Sequence, residues 1–174
     1  MKRGFTLIEL IITIVMLAAL VGVTAFVFRA VLLSWSSQET RSGIDINLDR
    51  GIEEIVRDLR EARQVQSVNN DEVRFTQDQS NYYIYYFYNV NDAYPPTFTD
   101  PNLLYQLRKA SLTGGIGGTL TDSGRIIITD LLSPSHATSP SDLSLSSNLI
   151  TLDLSITRKD ETIRSRTQVR PRNI

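Results

Sequence analysis

Few residues in this sequence have side chains suited to catalysis or metal binding. The chain has 174 residues, no cysteine and one histidine, His136. Without cysteine there is no thiolate nucleophile, no disulfide and no cysteine-ligated zinc site. His136 lies in a stretch rich in serine and proline, where no partner for a catalytic triad or a metal site is aligned with it. We therefore expect a solvated loop histidine, no enzymatic activity and no cofactor.

Two further segments contain residue types that bind ligands in other proteins. The segment LTGGIGGTL, residues 112–120, is rich in glycine like a phosphate-binding loop, but it lacks the following Lys-Ser/Thr pair and a helical pattern. Asn89, Asn91, Asp92 and Asp100 offer the oxygen ligands that calcium accepts, but their spacing matches no calcium-loop template. We predict a glycine-rich connection between strands for the first segment and an ordinary cluster of turns for the second.

A single acid interrupts an otherwise apolar N-terminal segment. No charged residue occurs from Leu10 to Phe28, and at about 1.5 Å per residue a helix of this length nearly crosses a hydrocarbon core of roughly 30 Å. Glu9 lies at its start, where a carboxylate in lipid costs roughly 2.5–3.5 kcal/mol. Lys2 and Arg3 precede the segment, and positive residues favour the cytoplasmic side. We therefore predict one membrane-spanning helix, with the N-terminus inside and the rest of the chain in the periplasm or outside.

The position of Glu9 has two explanations. In the first, Glu9 is interfacial and its carboxylate reaches water. In the second, the chain is cut between Gly4 and Phe5, and the new ammonium group of one copy neutralises Glu9 of its neighbour. Two charges that are each unfavourable in lipid then form a pair. The basic residue and the glycine directly before Phe5 favour the second explanation.

Residues 4–10, GFTLIEL, resemble the processing motif of type IV pilins and type II secretion pseudopilins. The resemblance implies that residues 1–4 are a leader, which a membrane-embedded prepilin peptidase removes after Gly4. It implies that the same enzyme methylates the new terminal amine on Phe5, and that Glu9 sets the register against the N-terminus of the adjacent subunit. The expected partners are prepilin peptidase, other pilin or pseudopilin subunits, and the cytoplasmic (inner) membrane.

Two further segments resemble minor members of this family. LDRGIEEIVRDLREARQV, residues 48–65, is similar to the helix end of J-type minor pseudopilins and W-type minor pilins, and the closing VRPRNI resembles their C-terminus. The spanning segment lacks the central proline, and the chain lacks the C-terminal cysteine pair, that many major pilins have. The resemblance implies a structural subunit, a minor pseudopilin of a type II secretion system. The alternatives are a minor pilin of a type IV or competence pilus, and a membrane-anchored extracytoplasmic binding domain or hydrolase.

The helix that positions the N-terminal motif follows from the hydrophobic periodicity. After Trp35, apolar residues recur at helical spacing up to Ala62. This predicts one helix from near residue 5 to about residue 65, with a spanning segment at residues 5–33 and an amphipathic half at residues 34–68. Gly43 and Gly51 are predicted weak points at which the helix bends or loosens.

Beyond residue 70 the apolar pattern changes to period two, which indicates strands. The predicted strands are residues 72–76, 82–90, 103–110, 125–131, 149–157 and 161–170. The apolar face of the strands and the apolar face of the amphipathic helix must each be buried against another element. We therefore predict an α+β fold in which the helix packs on an antiparallel β-sheet head of residues 69–174. Residues 131–148 are predicted to be a mobile loop, because they are rich in serine and proline.

Two surface features have competing interpretations. The aromatic run at residues 82–88 predicts a central strand covered on both faces, with a partner-binding face as the alternative. Arg164, Arg166, Arg170 and Arg172 mostly share one strand face, for which we predict solvation, with contact to acidic neighbours or to DNA as the alternatives. The balance of 18 basic against 19 acidic residues gives no polycationic excess, so nucleic acid is not an expected partner.

Overall fold

The computed structural model describes residues 6–68, 71–146, 148–158 and 161–172, and within these ranges all side chains except those of residues 36–41, 67 and 68. One helix, α1, extends from Leu7 to Glu61 and comprises 55 residues. By internal packing the chain divides into two compact units, with the division between Ser42 and Gly43.

The first unit contains the first part of α1. Its segment Leu7–Trp35 has 29 residues and a mean hydropathy of 2.8, and is long and apolar enough to cross a membrane. Every residue from Thr6 to Trp35 is exposed, and none of the spanning segment is buried within the chain. Because most of these side chains are apolar, this part of the helix needs lipid or other subunits around it.

The second unit begins with the second part of α1, whose apolar residues form one buried stripe. The stripe has spacings of three and four and consists of Ile44, Leu48, Ile52, Ile55, Leu59 and, just beyond the helix, Ala62. The helix ends at Glu61, earlier than the predicted end near Val65, because Gln64–Val68 pairs with the next strand instead. The amphipathic segment predicted for residues 34–68 therefore ends in a strand, not in a helix.

Nine strands follow α1 among the described residues. They are β1 Gln64–Val68, β2 Glu72–Thr76, β3 Tyr82–Tyr88, β4 Leu104–Thr113, β5 Thr119–Leu120, β6 Arg125–Leu132, β7 Asp142–Ser146, β8 Leu149–Arg158 and β9 Glu161–Val169. All pair antiparallel in one sheet of order β1-β2-β3-β4-β6-β8-β7, with β5 beside β4 and β9 beside β8. The predicted α+β fold, a long apolar N-terminal helix followed by an antiparallel sheet, is confirmed.

The six predicted strands are all present, but β1, β5 and β7 were not predicted. The prediction of a mobile loop over residues 131–148 is wrong at β7. Leu143 is fully buried there and pairs with Leu152 of β8. Ser144 and Ser146 alternate with the two leucines of β7, so its composition suggests a loop although its alternation is that of a strand.

Gly51 lies where α1 approaches the sheet most tightly. A Cβ on Gly51 would lie 2.3 Å from Cγ1 and 2.7 Å from Cδ1 of Ile128 in β6, whereas a Cβ on Gly43 would meet nothing within 4 Å. The helix is continuous through both glycines. Because Gly51 has no side chain, Ile128 can pack directly against the helix backbone. Gly51 is therefore a packing residue and not the weak point that its helix propensity suggests.

The aromatic strand β3 is covered on both faces, as predicted for a central strand. Tyr85 and Phe87 belong to the main core together with the apolar stripe of α1. Ile84 and Tyr86 point the other way into a second cluster, against which Tyr94 and Leu120 pack. The run of aromatic residues thus serves two cores at once.

Candidate assembly site

Glu9 lies in the first turn of α1 and forms a capping box with Thr6. Oε2 of Glu9 accepts hydrogen bonds from the backbone N–H of Thr6 at 3.0 Å and from its hydroxyl at 3.1 Å, and the N–H of Glu9 donates to the Thr6 hydroxyl at 3.4 Å. These reciprocal bonds satisfy backbone donors that a helix N-terminus otherwise leaves unpaired, and they place a negative charge at the positive end of the helix dipole. The carboxylate therefore has a partner within its own chain.

Sequence reasoning missed Thr6 as a partner of Glu9, although the signal was present. The segment TLIE, residues 6–9, has the Thr-x-x-Glu spacing of a capping box. Gly4 and Phe5 lie outside the described residues, so cleavage and methylation at these positions stay predictions. The role of Glu9 in register likewise stays a prediction.

The two threonines within the spanning segment bond to the helix itself. The hydroxyl of Thr13 donates to the carbonyl of Leu10 at 2.8 Å, and that of Thr24 donates to the carbonyl of Leu20 at 3.0 Å. Hydroxyls satisfied in this way are tolerated in lipid. The segment therefore presents an apolar surface with a carboxylate at its beginning and Arg29 near its end, an arrangement suited to packing beside other helices.

The string Arg-Asp-Leu-Arg at the end of α1 has a structural role in the second unit. Asp58 is buried, and its Oδ2 accepts a hydrogen bond from the Tyr85 hydroxyl at 2.7 Å and an ion-paired one from Lys109 Nζ at 2.5 Å. Burial and the hydrogen bond to Asp58 raise the pKa of the Tyr85 phenol. Lys109 Nζ also lies 5.0 Å from the ring centroid of Tyr83. Asp58 thus ties the helix to two strands of the sheet.

The chain end returns to the end of α1. The N–H of Arg172 donates to the carbonyl of Arg60 at 3.2 Å. Val169 and Pro171, which precede Arg172 in the sequence, are buried. The bond satisfies one of the last carbonyls of the helix, which have no partner within the helix. The two segments in which a resemblance to minor pseudopilins was noted therefore meet in the structure.

Asp92 organises the loop that contains the candidate calcium ligands. Its carboxylate accepts hydrogen bonds from the N–H groups of Thr97 and Phe98 and from the hydroxyl of Tyr105, the last at 2.6 Å. Burial acts to raise the pKa of Asp92, but these hydrogen bonds outweigh it and lower the pKa to about 2. Oδ1 of Asn89 accepts a hydrogen bond from the N–H of Asn91 at 2.6 Å, and Oδ1 of Asp100 accepts one from the N–H of Asn102 at 2.9 Å. The side-chain oxygens of Asn89, Asp92 and Asp100 thus bond to groups of their own loop, and no group of three acidic or histidine side chains among the described residues is arranged for a metal.

The remaining candidate residues also have local roles. Nδ1 of His136 accepts a hydrogen bond from the N–H of Ser139 at 3.2 Å within its own loop. The glycine-rich segment connects β4 to β5, as predicted, and its carbonyls at Ile116 and Gly118 accept hydrogen bonds from the Arg74 guanidinium. A loop whose carbonyls face an arginine is the reverse of a phosphate cradle, which presents N–H groups. The four C-terminal arginines are exposed.

Comparison with known families bears on the N-terminal segment. The family model described as the prokaryotic N-terminal methylation motif matches residues 1–25. The chain carries a prepilin-type N-terminus. This match supports a place in the family of type IV pilins and pseudopilins, and with it a structural subunit that prepilin peptidase processes. Comparisons with curated proteins and with solved structures gave no match.

Proposed function

We propose that this protein is a minor pseudopilin of the J type, a structural subunit of the filament of a type II secretion system. In this proposal the precursor waits in the inner membrane with its head in the periplasm. Prepilin peptidase cuts it after Gly4 and methylates Phe5, and the subunit then enters a short filament with other pseudopilins. The observation that supports the proposal most directly is the methylation motif at residues 1–25, followed by an exposed apolar helix with Glu9 as its one acid.

The geometry at Glu9 suggests how the subunit changes partners on assembly. In the single chain the carboxylate is held by neutral donors of Thr6. The bonds from Thr6 leave the charge of Glu9 uncompensated, whereas an ammonium group both donates hydrogen bonds to the carboxylate and cancels its charge. The terminal amine of a neighbouring Phe5 therefore competes well for Glu9, and pairing lowers the cost of both charges in lipid.

The finer assignment to a minor pseudopilin rests on the second unit. The string at the end of α1 positions Asp58 against the sheet, and the C-terminal segment bonds to the end of the same helix. These are the two segments that resemble J-type minor pseudopilins. A minor pilin of a type IV or competence pilus is the second candidate, because W-type minor pilins share the resemblance at the helix end. An adjacent gene for a retraction motor favours the pilus, whereas genes for a secretin and several small pseudopilins favour secretion.

The decisive experiment is mass analysis of the N-terminus after expression with and without a prepilin peptidase. We expect an uncut chain beginning at Met1 without the peptidase, and a chain beginning at N-methylated Phe5 with it. A Gly4→Val variant should remain uncut in both strains, and a Gly22→Val variant serves as its control. Identical N-termini in the two strains would contradict the proposal and favour a membrane-anchored domain with another role.

A further inference from the structure

Among the described residues, β9 forms one edge of the sheet. β9 pairs with β8 over its whole length without a bulge, and no other strand of the described residues pairs with it. The orientation of the backbone follows from Ser155 of β8, whose N–H donates to the Ser141 hydroxyl at 3.1 Å and whose carbonyl accepts from that hydroxyl at 3.3 Å. Since Ser141 precedes β7, on the other side of β8, both backbone groups of Ser155 point away from β9.

The residues of β9 that face the free edge can therefore be assigned. Arg164 lies opposite Ser155, and opposed residues of an antiparallel pair alternate between hydrogen-bonded and non-hydrogen-bonded pairs. Because Ser155 and Arg164 form a non-hydrogen-bonded pair, the N–H and C=O of Arg164 point outwards. The same holds for every second residue, which gives an outward row of Thr162, Arg164, Arg166 and Gln168. The side chains of all four are exposed, so one row offers both free backbone groups and accessible side chains.

The row is positively charged. Arg164 donates two hydrogen bonds to the carboxylate of Asp153, at 2.7 and 2.8 Å. Arg166 Nε lies 3.9 Å from the same carboxylate, and its side chain is 66% exposed. Asp153 thus faces two arginines, and Asp142, which lies opposite Asp153 in β7, also interacts electrostatically with Arg166. The charges of the outward row itself are the two arginines, and the two acids lie behind them on β7 and β8.

This charge argues against pairing of β9 with the β9 of a second copy. An antiparallel pairing of two such edges, centred on Ser165, places Arg164 of one copy opposite Arg166 of the other. Like charges directly opposite each other destabilise a strand pair, and charged side chains are a known protection of sheet edges against association. An acidic strand would instead be attracted to this edge, because its carboxylates at alternate positions would lie beside the two arginines.

We propose that the free edge of β9 is a docking site for an extended acidic segment of a partner protein. The segment adds to the sheet as a further strand through the outward backbone groups of the row, and its Asp or Glu residues at alternate positions pair with Arg166 and Arg164. Backbone hydrogen bonds give affinity in this mode of recognition, and the side chains give specificity. The proposal holds whether or not the chain enters a filament.

The test uses full-length protein in detergent micelles and blocked, fluorescent octapeptides, with binding followed by anisotropy. The probe peptide alternates glutamate with valine. One control replaces the glutamates by lysine, and the other keeps every side chain and N-methylates the peptide backbone, which removes the N–H donors that a strand addition needs. We expect binding of the glutamate–valine peptide that weakens with added salt, no binding of the lysine peptide, and affinity lower by at least about tenfold for the N-methylated peptide.

Variants of the edge separate backbone recognition from charge. Gln168→Pro removes one outward N–H that the β8 ladder does not use, and we expect affinity to fall about fivefold, the worth of one hydrogen bond, with Gln168→Ala unchanged. Arg166→Glu should lower affinity roughly tenfold or more and restore binding of the lysine peptide. Thermal unfolding of each variant confirms that the fold is intact, so that a loss of binding reports on the edge.

Three outcomes overturn the proposal. Equal binding of the N-methylated and unmethylated peptides would mean that the surface attracts acids without adding a strand. A single-stranded DNA oligonucleotide that binds more tightly than the peptide, and is lost in Arg166→Glu but not in Gln168→Pro, would make the row a nucleic-acid surface. Absence of peptide binding at low salt would mean that the arginines serve only to keep sheet edges apart.

Discussion

The two parts of α1 use the same backbone in opposite ways. From Leu7 to Trp35 the helix has apolar side chains on all sides and none of it is buried within the chain. From Gly43 to Glu61 one apolar stripe is buried in the core of the head, and most of the other positions are polar. The second part therefore owes its stability to its own chain, whereas the first part is complete only among lipids or other subunits.

The comparison also separates two acids of the helix, Asp58 and Glu9. Asp58 is buried and bonds to a tyrosine and a lysine of the sheet, so its partners are fixed by folding. Glu9 is exposed, and its partner in the single chain is the neighbouring Thr6. A carboxylate with only local, neutral donors is free to change partners on assembly. Substitutions at Glu9 should thus affect assembly alone, and substitutions at Asp58 should affect folding.

The largest effect is expected at Glu9. Glu9→Gln keeps an acceptor for the capping box but removes the charge, and Thr6→Val removes the cap but keeps the charge. If pairing with a neighbour's amine drives assembly, Glu9→Gln lowers incorporation into filaments roughly ten- to hundredfold, as for a charged hydrogen bond, and Thr6→Val lowers it far less. Incorporation is measured by shearing and immunoblotting. Normal assembly of Glu9→Gln would reduce the role of this residue to capping.

Removal of Asp58 should destabilise the head. Asp58→Ala leaves the Lys109 ammonium and the Tyr85 hydroxyl without their shared acceptor, for which we expect a loss of about 2–4 kcal/mol in the free energy of unfolding. The matched control is Arg57→Ala at the exposed neighbouring position, expected to change stability by less than about 0.5 kcal/mol. Denaturant unfolding of the purified protein gives both values. If Asp58→Ala lowers the free energy of unfolding no more than Arg57→Ala does, Asp58 does not anchor the helix to the sheet.

The two glycines of the second part of α1 should respond in opposite directions. Gly51→Ala introduces a methyl group against Ile128 and should cost about 1–3 kcal/mol, because the contact of 2.3 Å requires the side chain or the helix to move. Gly43→Ala meets no atom and should raise stability by up to about 1 kcal/mol through helix propensity. The same unfolding measurement tests both. If both alanines raise the free energy of unfolding, Ile128 of β6 must be able to move away from the helix at Gly51.

The smallest expected effect is on the pH dependence of the head. Burial, with the neighbouring charge of Glu72, raises the pKa of Asp71 to about 6. An acid whose pKa is raised in the folded state binds its proton more tightly there than in the unfolded chain, so stability should rise as the pH falls from 7 through 6 towards 4. Thermal melting between pH 7 and pH 5 should show this rise, and Asp71→Asn should reduce it while raising the melting temperature at pH 7. A wild-type melting temperature that falls over this interval would contradict the assignment.

Sequence reasoning succeeded where a single period governs a long segment. The apolar run after Glu9 predicted the spanning helix, and the strict alternation from residue 149 to 157 predicted β8 within one residue. It failed where a short sequence pattern is compatible with more than one local structure and tertiary contacts select between them. Gln64–Val68 continues the helical sequence but pairs with β2, and Leu143 lies among serines but is buried against β8. Both segments are too short to have a strong preference of their own, so their partners determine their structure.

At the candidate site the division is similar. The Thr-x-x-Glu spacing that forms the capping box is visible in residues 6–9, because its bonds connect residues three apart. The anchor at Asp58 is not visible, because its partners Tyr85 and Lys109 are 27 and 51 residues away. The spacing around Asp92 predicted a cluster of turns and not a calcium site, but only the structure shows that Tyr105 and the loop backbone hold its carboxylate.

By itself the sequence determined the membrane segment, the position of its one acid and the α+β class, because hydrophobic period and charge placement act locally and need no knowledge of distant residues. The tertiary structure alone decided which acid is fixed in the head, why Gly51 has no side chain, and which edge of the sheet is free. These depend on residues far apart in the chain that meet only when helix and sheet pack, and a linear pattern contains no distance between them.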